Sequence, residues 1–203
     1  MGLTERQKVI VDIAAQMIAQ NGYRETSMRD IAARLGVKAA SIYSHFESKD
    51  HLLQVILGVF SDELEKVMQE VSAVEPVEKK FYTLIELYIT AVLKSVNGFA
   101  IYQRYSSIAD ASNGFKYSSL DQKFFLFVEQ LYAEMFPQFE EKPYYLKNST
   151  VLILIGVLNN VHRYVNRNML DINIIATDVY QRWLYGFKKD MNPHFVANYR
   201  PEQ

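Results

Sequence analysis

Apolar residues recur at helical spacing along almost the whole chain, and this periodicity restricts the possible folds more than any other feature of the sequence. In the first such window they fall at Ile10, Ile13, Ala14, Met17 and Ile18, the spacing of an amphipathic helix. Only 5 prolines and 8 glycines occur among 203 residues, so long windows remain free to form helices. No alternating stretch is long enough to require a strand. The sequence therefore predicts an all-α protein with about nine helices.

Residues that favour turns divide this helical pattern into a small head and a larger body. Gly22 and Gly36 follow the first two predicted helices, because glycine accepts the left-handed backbone conformation found at helix ends. A third helix is predicted from about Lys38 to His45, and Ser48 is the predicted cap of a long fourth helix. We expect two domains, a three-helix head over residues 1–48 and a helical body over residues 49–203.

Composition and charge exclude several classes of protein. The chain has no cysteine, which excludes disulfides and cysteine-based zinc sites. Its longest apolar run, Val151 to Leu158, is far shorter than the roughly 20 residues of a membrane span, and charged residues precede any apolar stretch at the amino end. We therefore expect a cytoplasmic protein without a membrane partner. The net charge is −1, so any binding to nucleic acid must come from a local patch.

No motif of catalysis or cofactor binding is recognisable in the sequence. The four histidines, His45, His51, His162 and His194, do not have the spacing of metal ligands. The chain also lacks a nucleophile elbow, a phosphate-binding glycine loop and a dinucleotide fingerprint. The sequence therefore predicts that the protein is not an enzyme and that it holds neither a metal nor a cofactor.

The segment from residue 26 to residue 49 carries most of the functional information. A helix-turn-helix needs a small residue where its helices cross, a residue that tolerates positive φ in the turn, and an apolar anchor on the second helix. Ala32, Gly36 and Ile42 supply these three in order. Such a unit places its second helix in the major groove of DNA. The same spacing also occurs by chance in ordinary helical hairpins, so it indicates DNA binding only together with its neighbours.

The outward residues of the predicted second helix suit a surface that contacts bases. Ile42 and Phe46 lie four residues apart and are expected to face inward. The small side chains at Ala39, Ala40 and Ser41 permit a close approach to base edges, where an alanine meets a thymine methyl and a serine bonds either base type.

Three further side chains are candidates for contact with the phosphate backbone. Tyr43 and His45 bring a hydroxyl and an imidazole to the depth of phosphate oxygens. Lys49 lies in the first turn of a predicted helix, where a cation is unfavourable because it opposes the helix dipole. This position is explained if the lysine and the helix N-terminus bind the same phosphate. Simpler interpretations remain open: Tyr43 and His45 as surface residues, Lys49 as a solvated partner of Asp50, and Ser27 as a helix cap only.

Taken together, this segment resembles the N-terminal domain of the TetR family of bacterial transcriptional repressors. Residues 28–37 (MRDIAARLGV) and 41–49 (SIYSHFESK) are similar to the most characteristic signature of that family. The resemblance implies that Ser27 holds phosphate together with the three candidates above, and that Arg29 and residues 38–41 face bases. The predicted DNA-binding set is Ser27, Arg29, Lys38, Ala39, Ala40, Ser41, Tyr43, Ser44, His45 and Lys49. Lys38 stands where the family commonly has serine or threonine, which indicates a site-specific charge contact.

The resemblance also implies a C-terminal body that dimerises, and the residues of the body are compatible with this. The window from Tyr145 to Met169 is apolar on two faces, and the last predicted helix behaves similarly. Because both faces must be buried, we expect a symmetric dimer through a four-helix bundle. The predicted interface comprises Val151, Ile155, Leu158, His162, Ile175, Val179, Trp183 and Gly186. A central helix buried within a monomer is the alternative.

A small-molecule effector is the second partner of the body that the resemblance implies. Aromatic residues make up 13% of the chain, and those in the body are candidates to line an apolar cavity. The predicted ligand-binding set is Tyr88, Tyr102, Arg104, Tyr105, Phe124, Phe127 and His162. An aromatic stripe at helical spacing is more often core than pocket, so both interpretations stay open. We expect a mostly apolar or aromatic effector.

The function predicted from these observations is that of a ligand-responsive transcriptional regulator. We expect a repressor that binds a pseudo-palindromic operator as a homodimer and is released by its effector. The alternative is a helical adaptor that binds another protein and does not bind DNA. Such an adaptor differs in showing no steep salt dependence of its affinity for duplex DNA.

Overall fold

The computed structural model describes the backbone of residues 2–113, 116–168 and 171–190, and the side chains of residues 2–106, 120–160, 171–184 and 186. Every regular element in this part of the chain is helical, which confirms the predicted all-α class. The nine α-helices of the described residues are α1 (Glu5–Asn21), α2 (Met28–Arg34), α3 (Ala39–Tyr43), α4 (Lys49–Ser72), α5 (Val77–Lys94), α6 (Val96–Asn113), α7 (Lys116–Met135), α8 (Tyr144–Asn168) and α9 (Ile172–Asp190), with a short 3-10 helix at Pro137–Phe139. Within the same residues, no single helix has both the length and the apolar character to cross a membrane. Helix α5 and the first part of α6 have them only when taken together, and the chain bends sharply between these two helices.

Two compact units are formed, each from two separate stretches of the chain. Unit 1 comprises Met1–Glu65 and Lys94–Asp121, and unit 2 comprises Lys66–Leu93 and Gln122–Gln203. Unit 1 therefore contains the predicted head, the first part of α4 and all of α6. The functional boundary expected between residues 48 and 49 stays a prediction.

Local signals in the sequence determine where the first helices begin and end. Thr4 begins α1 with a capping box, and Ser27 and Asp30 form the predicted capping box at the start of α2. Gly22 and Gly36 have φ angles of 92° and 66°, a backbone conformation in which a side chain is strained. The turns predicted at both glycines are therefore confirmed.

The core around α3 in unit 1 is built by apolar side chains from α1 and α2, from α3 itself and from the turn that follows it. Ile10, Ile18, Ile31 and Ile42 are fully buried, and Phe46 is 1% exposed. The inward orientation predicted for Ile42 and Phe46 is confirmed. Helix α6 completes the unit, because it packs against α1.

An aromatic cluster lies at the centre of unit 2. Phe81, Tyr132 and Phe139 are fully buried, and the ring of Trp183 stacks on that of Phe81 with a centroid distance of 4.2 Å. The indole N–H of Trp183 donates to the hydroxyl oxygen of Tyr132. Burial raises the pKa of Tyr132 above its ordinary value, so this phenol stays protonated and uncharged in the core.

The structure corrects the predicted dimer interface on α8. Val151 and Leu158 are 0% exposed within the single chain, and Leu154 is 1% exposed. These three positions share one face of α8, which is buried by the chain itself and so is not available to a partner. Five further residues of the predicted interface are half-buried, namely Ile155, Ile175, Val179, Trp183 and Gly186. The side chain of His162 lies outside the described residues.

Three exposed apolar residues in the middle of α8 lie on the side opposite this buried face. Leu152, Ile153 and Val157 are 57%, 66% and 43% exposed, and Ile174 near the start of α9 is 64% exposed. Helix α8 therefore has apolar side chains on two faces, as the sequence predicts, but the outward face is formed by residues that the prediction did not select. We call Leu152, Ile153, Val157 and Ile174 the outer apolar residues.

Replacing Phe81 with alanine tests how much the aromatic cluster stabilises unit 2. Phe81→Ala removes a fully buried ring and leaves a cavity beside Trp183, so we expect the free energy of unfolding of unit 2 to fall by about 3–5 kcal/mol. Trp183 is the one tryptophan of the chain, and its fluorescence during urea unfolding reports the change. Thr90→Ala, at an exposed position of the same helix, is the matched control and is expected to stay within about 0.5 kcal/mol of wild type. Equal decreases in the free energy of unfolding of the two variants contradict this prediction.

Candidate nucleic-acid interface

Helices α2 and α3 and the turn between them have the geometry of the predicted helix-turn-helix. Ala32 is 2% exposed on the inner side of α2, and the turn is closed by the N–H of Val37, which donates to the carbonyl oxygen of Ala32 at 3.0 Å. Gly36 supplies the positive φ that this turn requires. Ile42 anchors α3 to the core through its buried side chain, so the other faces of this short helix remain accessible to solvent.

Helix α3 is shorter than the sequence predicts. It spans Ala39–Tyr43, and Lys38 precedes it as the N-cap without a side-chain cap hydrogen bond. Ser44 and His45 form the turn that follows, where the N–H of His45 donates to the carbonyl oxygen of Ile42 at 3.0 Å. Both residues therefore sit beside α3 rather than on it.

The ten predicted DNA-binding residues all remain accessible to a partner. The exposed ones are Ser27, Arg29, Lys38, Ala40, Ser41, Tyr43 and Ser44, and the half-buried ones are Ala39, His45 and Lys49. Tyr43 is the largest of the exposed side chains, with 51% of its surface open. We call these ten residues the α3 surface. The structure brings them onto consecutive elements of unit 1, and their contact with DNA stays a prediction.

Ser27 acts as the cap of α2, as the sequence predicts. The N–H of Asp30 donates to the Ser27 hydroxyl oxygen at 3.2 Å, and the N–H of Ser27 donates to the Asp30 carboxylate at 2.9 Å. The hydroxyl of Ser27 also donates to this carboxylate. These hydrogen bonds from Ser27 hold the pKa of the Asp30 carboxyl below its ordinary value. A phosphate contact by Ser27 would therefore have to compete with Asp30.

Lys49 makes contacts that the sequence does not reveal. Its ammonium donates to the carbonyl oxygens of Tyr23 at 2.8 Å and of Thr26 at 2.9 Å, and it lies 4.2 Å from the centroid of the Tyr23 ring. These partners offset the unfavourable position of a cation in the first turn of α4. Asp50, which the simpler interpretation pairs with Lys49, accepts a hydrogen bond from the Tyr23 hydroxyl. Lys49 thus ties the segment between α1 and α2 to the start of α4.

Tyr23 and Thr26 belong to this arrangement although the sequence assigns them no individual role. Thr26 is 1% exposed, and its hydroxyl donates to the carbonyl oxygen of Gly22 at 2.9 Å. The signal available in the sequence was their position between the helix-ending Gly22 and the cap Ser27. This position alone does not identify Lys49 as the donor to the carbonyl groups of Tyr23 and Thr26.

The predicted ligand-binding residues are divided between the two units. In unit 2 the hydroxyl of Tyr88 donates to the amide oxygen of Asn159, and the Tyr88 ring stacks on Phe124 with a centroid distance of 5.3 Å. Phe127 is half-buried in the same unit. The structure therefore brings Tyr88 and Phe124 together beside an amide.

The remaining ligand candidates differ in their surroundings. The hydroxyl of Tyr102 donates to Asp121 at 2.9 Å, and that of Tyr105 accepts from the backbone N–H of Tyr23 at 3.0 Å, both within unit 1. Arg104 is exposed, and its contact with a ligand stays a prediction. The side chain of His162 lies outside the described residues.

Removing the Lys49 ammonium tests its bracing role without DNA. Lys49→Met deletes two hydrogen bonds from a charged donor, and we expect the free energy of unfolding of unit 1 to fall by about 1–2 kcal/mol. Thermal unfolding followed by circular dichroism measures the effect. Lys38→Met is the matched control, since that side chain is exposed and makes no cap bond; it is expected to unfold like wild type. Unchanged unfolding of Lys49→Met refutes the bracing role.

Comparison with known proteins gives a family match over the helix-turn-helix. Residues 10–56 match the family model described as bacterial regulatory proteins, tetR family. The HTH-type transcriptional repressor KstR2 of Rhodococcus jostii (strain RHA1) is 39% identical over 72 residues, which are 36% of this chain and 35% of that protein. The chain thus matches about a third of the length of this curated relative.

Solved structures share the fold over most of the chain. A TetR-family transcriptional regulator from Bordetella parapertussis 12822 has a TM-score of 0.82 and 18% sequence identity, covering 90% of this chain and 95% of that one. AibR in complex with isovaleryl coenzyme A and operator DNA has a TM-score of 0.68 and 20% identity, covering 87% of this chain and 96% of that one. Residues 10–56 of the chain thus form a helix-turn-helix domain of the tetR family of bacterial regulatory proteins, and the chain shares its fold with solved TetR-family regulators.

Proposed function

We propose that the chain is a ligand-responsive repressor that binds a pseudo-palindromic operator as a homodimer and is released by a small, mostly apolar or aromatic effector. The observation that carries this proposal is the orientation of α3. Ile42 is buried beneath the helix, whereas Lys38 and Tyr43 are exposed beside it. A helix-turn-helix enters a major groove with a short helix of this kind, which is anchored to the core on one side and exposed to solvent on the other.

Different parts of the α3 surface are proposed to contact different parts of the DNA. Ala40 and Ser41 are small and exposed in the first turn of α3, which permits a close approach to base edges. Lys38 is exposed at the N-cap, from which its long side chain reaches a base edge on the same side. Tyr43 and His45 lie at the far end of α3 and are proposed to donate to phosphate oxygens, which fixes the register of the helix in the groove.

A second copy of the chain is the proposed partner of the outer apolar residues. One α3 reads one half-site, so a palindromic operator requires two copies related by two-fold symmetry. Leu152, Ile153 and Val157 follow one another on the outward side of α8, where an exposed apolar patch favours association. A symmetric contact between two copies of α8 and α9 buries this patch without changing the core of either chain.

The effector is proposed to bind in unit 2 near Tyr88 and Phe124. The stacked rings offer apolar contact, and the Tyr88 hydroxyl with the Asn159 amide offers a polar handle. AibR was solved with isovaleryl coenzyme A and operator DNA, which supports an effector that carries an apolar group. An effector that favours a conformation with misplaced α3 helices weakens operator binding, and DNA weakens effector binding by the same factor.

Substitutions on the α3 surface separate phosphate contacts from base contacts. The probe is duplex DNA that the wild-type protein selects from a random-sequence pool, with binding followed by fluorescence anisotropy. Tyr43→Phe removes one hydroxyl, and we expect about fivefold weaker binding to selected and unrelated duplexes alike, because phosphate contacts carry no sequence information. Lys38→Met is expected to lose about 1–3 kcal/mol of discrimination between the selected duplex and a duplex altered at one base pair.

A distant tyrosine provides the control for this experiment. Tyr144→Phe alters a side chain that is 74% exposed in unit 2, and it is expected to bind DNA like wild type. Wild-type affinity is expected to fall steeply as salt concentration rises. If no duplex is bound in a salt-dependent way, the adaptor function replaces the proposed one; if both α3 variants bind like wild type, their assigned contacts are wrong.

A charge placed on the outer apolar residues tests the proposed dimer. Ile153→Glu puts a carboxylate twice into the symmetric interface, where an unpaired buried charge costs several kcal/mol. We expect a dimer of the wild-type protein at micromolar concentration and a monomer of the variant, measured by analytical ultracentrifugation. Leu126→Glu is the matched control, since Leu126 is 52% exposed on α7; it is expected to remain dimeric. A monomeric wild-type protein, or a dimeric Ile153→Glu variant, refutes this interface.

A further inference from the structure

Tyr23 lies just beyond the end of α1 and is held by two other helices of unit 1. Its backbone N–H donates to the hydroxyl oxygen of Tyr105 on α6 at 3.0 Å. Its carbonyl oxygen accepts from the ammonium of Lys49 on α4 at 2.8 Å, and its own hydroxyl donates to the neighbouring Asp50. One residue therefore connects α6 to the start of α4.

Helix α6 presents Tyr105 from a fixed position within unit 1. The rings of Tyr23 and Tyr105 lie 6.0 Å apart, centroid to centroid. One turn earlier on α6, the ring of Tyr102 lies 5.0 Å from that of Phe60 on α4, and its hydroxyl donates to Asp121 at 2.9 Å. These contacts fix the turn of α6 from which the Tyr105 hydroxyl reaches Tyr23.

The consequences of holding Tyr23 extend to the α3 surface. The Lys49 ammonium, which donates to the carbonyl oxygen of Tyr23, also donates to the carbonyl oxygen of Thr26 at 2.9 Å. Thr26 directly precedes Ser27, which caps α2. Lys49 and Ser27 both belong to the α3 surface, so a displacement of Tyr23 changes two of its members together.

We propose that the Tyr105 hydroxyl is a positioning group for the α3 surface: by holding the Tyr23 N–H, it keeps the Lys49 ammonium and the start of α2 in the arrangement that binds DNA. This inference rests on the proposed function. Loss of this hydrogen bond leaves Tyr23 hydrogen-bonded from the α4 side only, with just the ring contact to α6 remaining. A loosened surface must be ordered again when DNA binds, which weakens binding. A shift of α6 thus changes operator affinity without any contact between α6 and DNA.

The first test compares two substitutions that each delete one phenol hydroxyl from the full-length chain. Tyr105→Phe removes the acceptor of the Tyr23 N–H, and Tyr132→Phe removes the acceptor of the Trp183 N–H in unit 2. The probe is the duplex selected by the wild-type protein from a random-sequence pool. We expect Tyr105→Phe to bind it about threefold to tenfold more weakly, and Tyr132→Phe to bind like wild type. Wild-type affinity of Tyr105→Phe, or equal losses in both variants, overturns the inference.

A double-mutant cycle distinguishes positioning from a general loss of stability. If Tyr105 acts through Lys49, adding Tyr105→Phe to Lys49→Met weakens DNA binding by less than about twofold further, because coupled residues are not additive. If the double variant instead loses DNA affinity by the product of the two single fold-changes, Tyr105 does not act through Lys49 and the inference is overturned.

Amide hydrogen exchange of the full chain without DNA tests the contact directly. We expect Tyr105→Phe to lower the protection of the Tyr23 amide by at least about tenfold, while the amide of Ile18 within α1 keeps its protection. Unchanged protection at Tyr23 overturns the inference. A wild-type protein that selects no duplex overturns the proposed function and this inference with it, whereas normal selection combined with unaffected Tyr105→Phe binding overturns this inference alone.

Discussion

The five-residue helix α3 is held in place by buried side chains, and the α3 surface of unit 1 depends on this constraint. An isolated helix shorter than about 12–15 residues is marginal in water, so α3 cannot rely on its own backbone hydrogen bonds. Ile42 within the helix and Phe46 just after it are buried against the core that α1 and α2 provide. That burial fixes which side of α3 faces solvent. The α3 surface is therefore a property of the core beneath it as much as of the exposed residues.

The features that the sequence predicts well are those decided by neighbouring residues. The capping box of Ser27 and Asp30, the cap that Ser48 places on α4 and the positive φ of Gly36 each depend on a few consecutive positions. The inward orientation of Ile42 and Phe46 follows from helical periodicity within one short segment. The helical class and the helix-turn-helix could be read from such signals, because each of them is local.

What the sequence does not predict depends on contacts between distant positions. Periodicity shows that α8 has two apolar faces, but only the tertiary structure decides that Val151 and Leu158 belong to the chain's own core while Ile153 is left outside. The partners of Lys49 lie 26 and 23 positions away, and Tyr105 lies 82 positions from Tyr23. The Lys49 and Tyr105 side chains both form hydrogen bonds with backbone groups. Every residue has such groups, so the sequence does not show which of them will be the partner.

The brace formed by Lys49 is compatible with its proposed contact to phosphate. An ammonium has three N–H donors, and the carbonyl oxygens of Tyr23 and Thr26 use two of them. A phosphate oxygen requires one. A lysine that is already fixed loses less side-chain entropy when it meets DNA than a mobile one. The hydrogen bonds that stabilise unit 1 are therefore expected also to prepare it for the proposed binding to DNA. For this reason a hydroxyl on α6, acting on Tyr23, is expected to influence affinity for DNA.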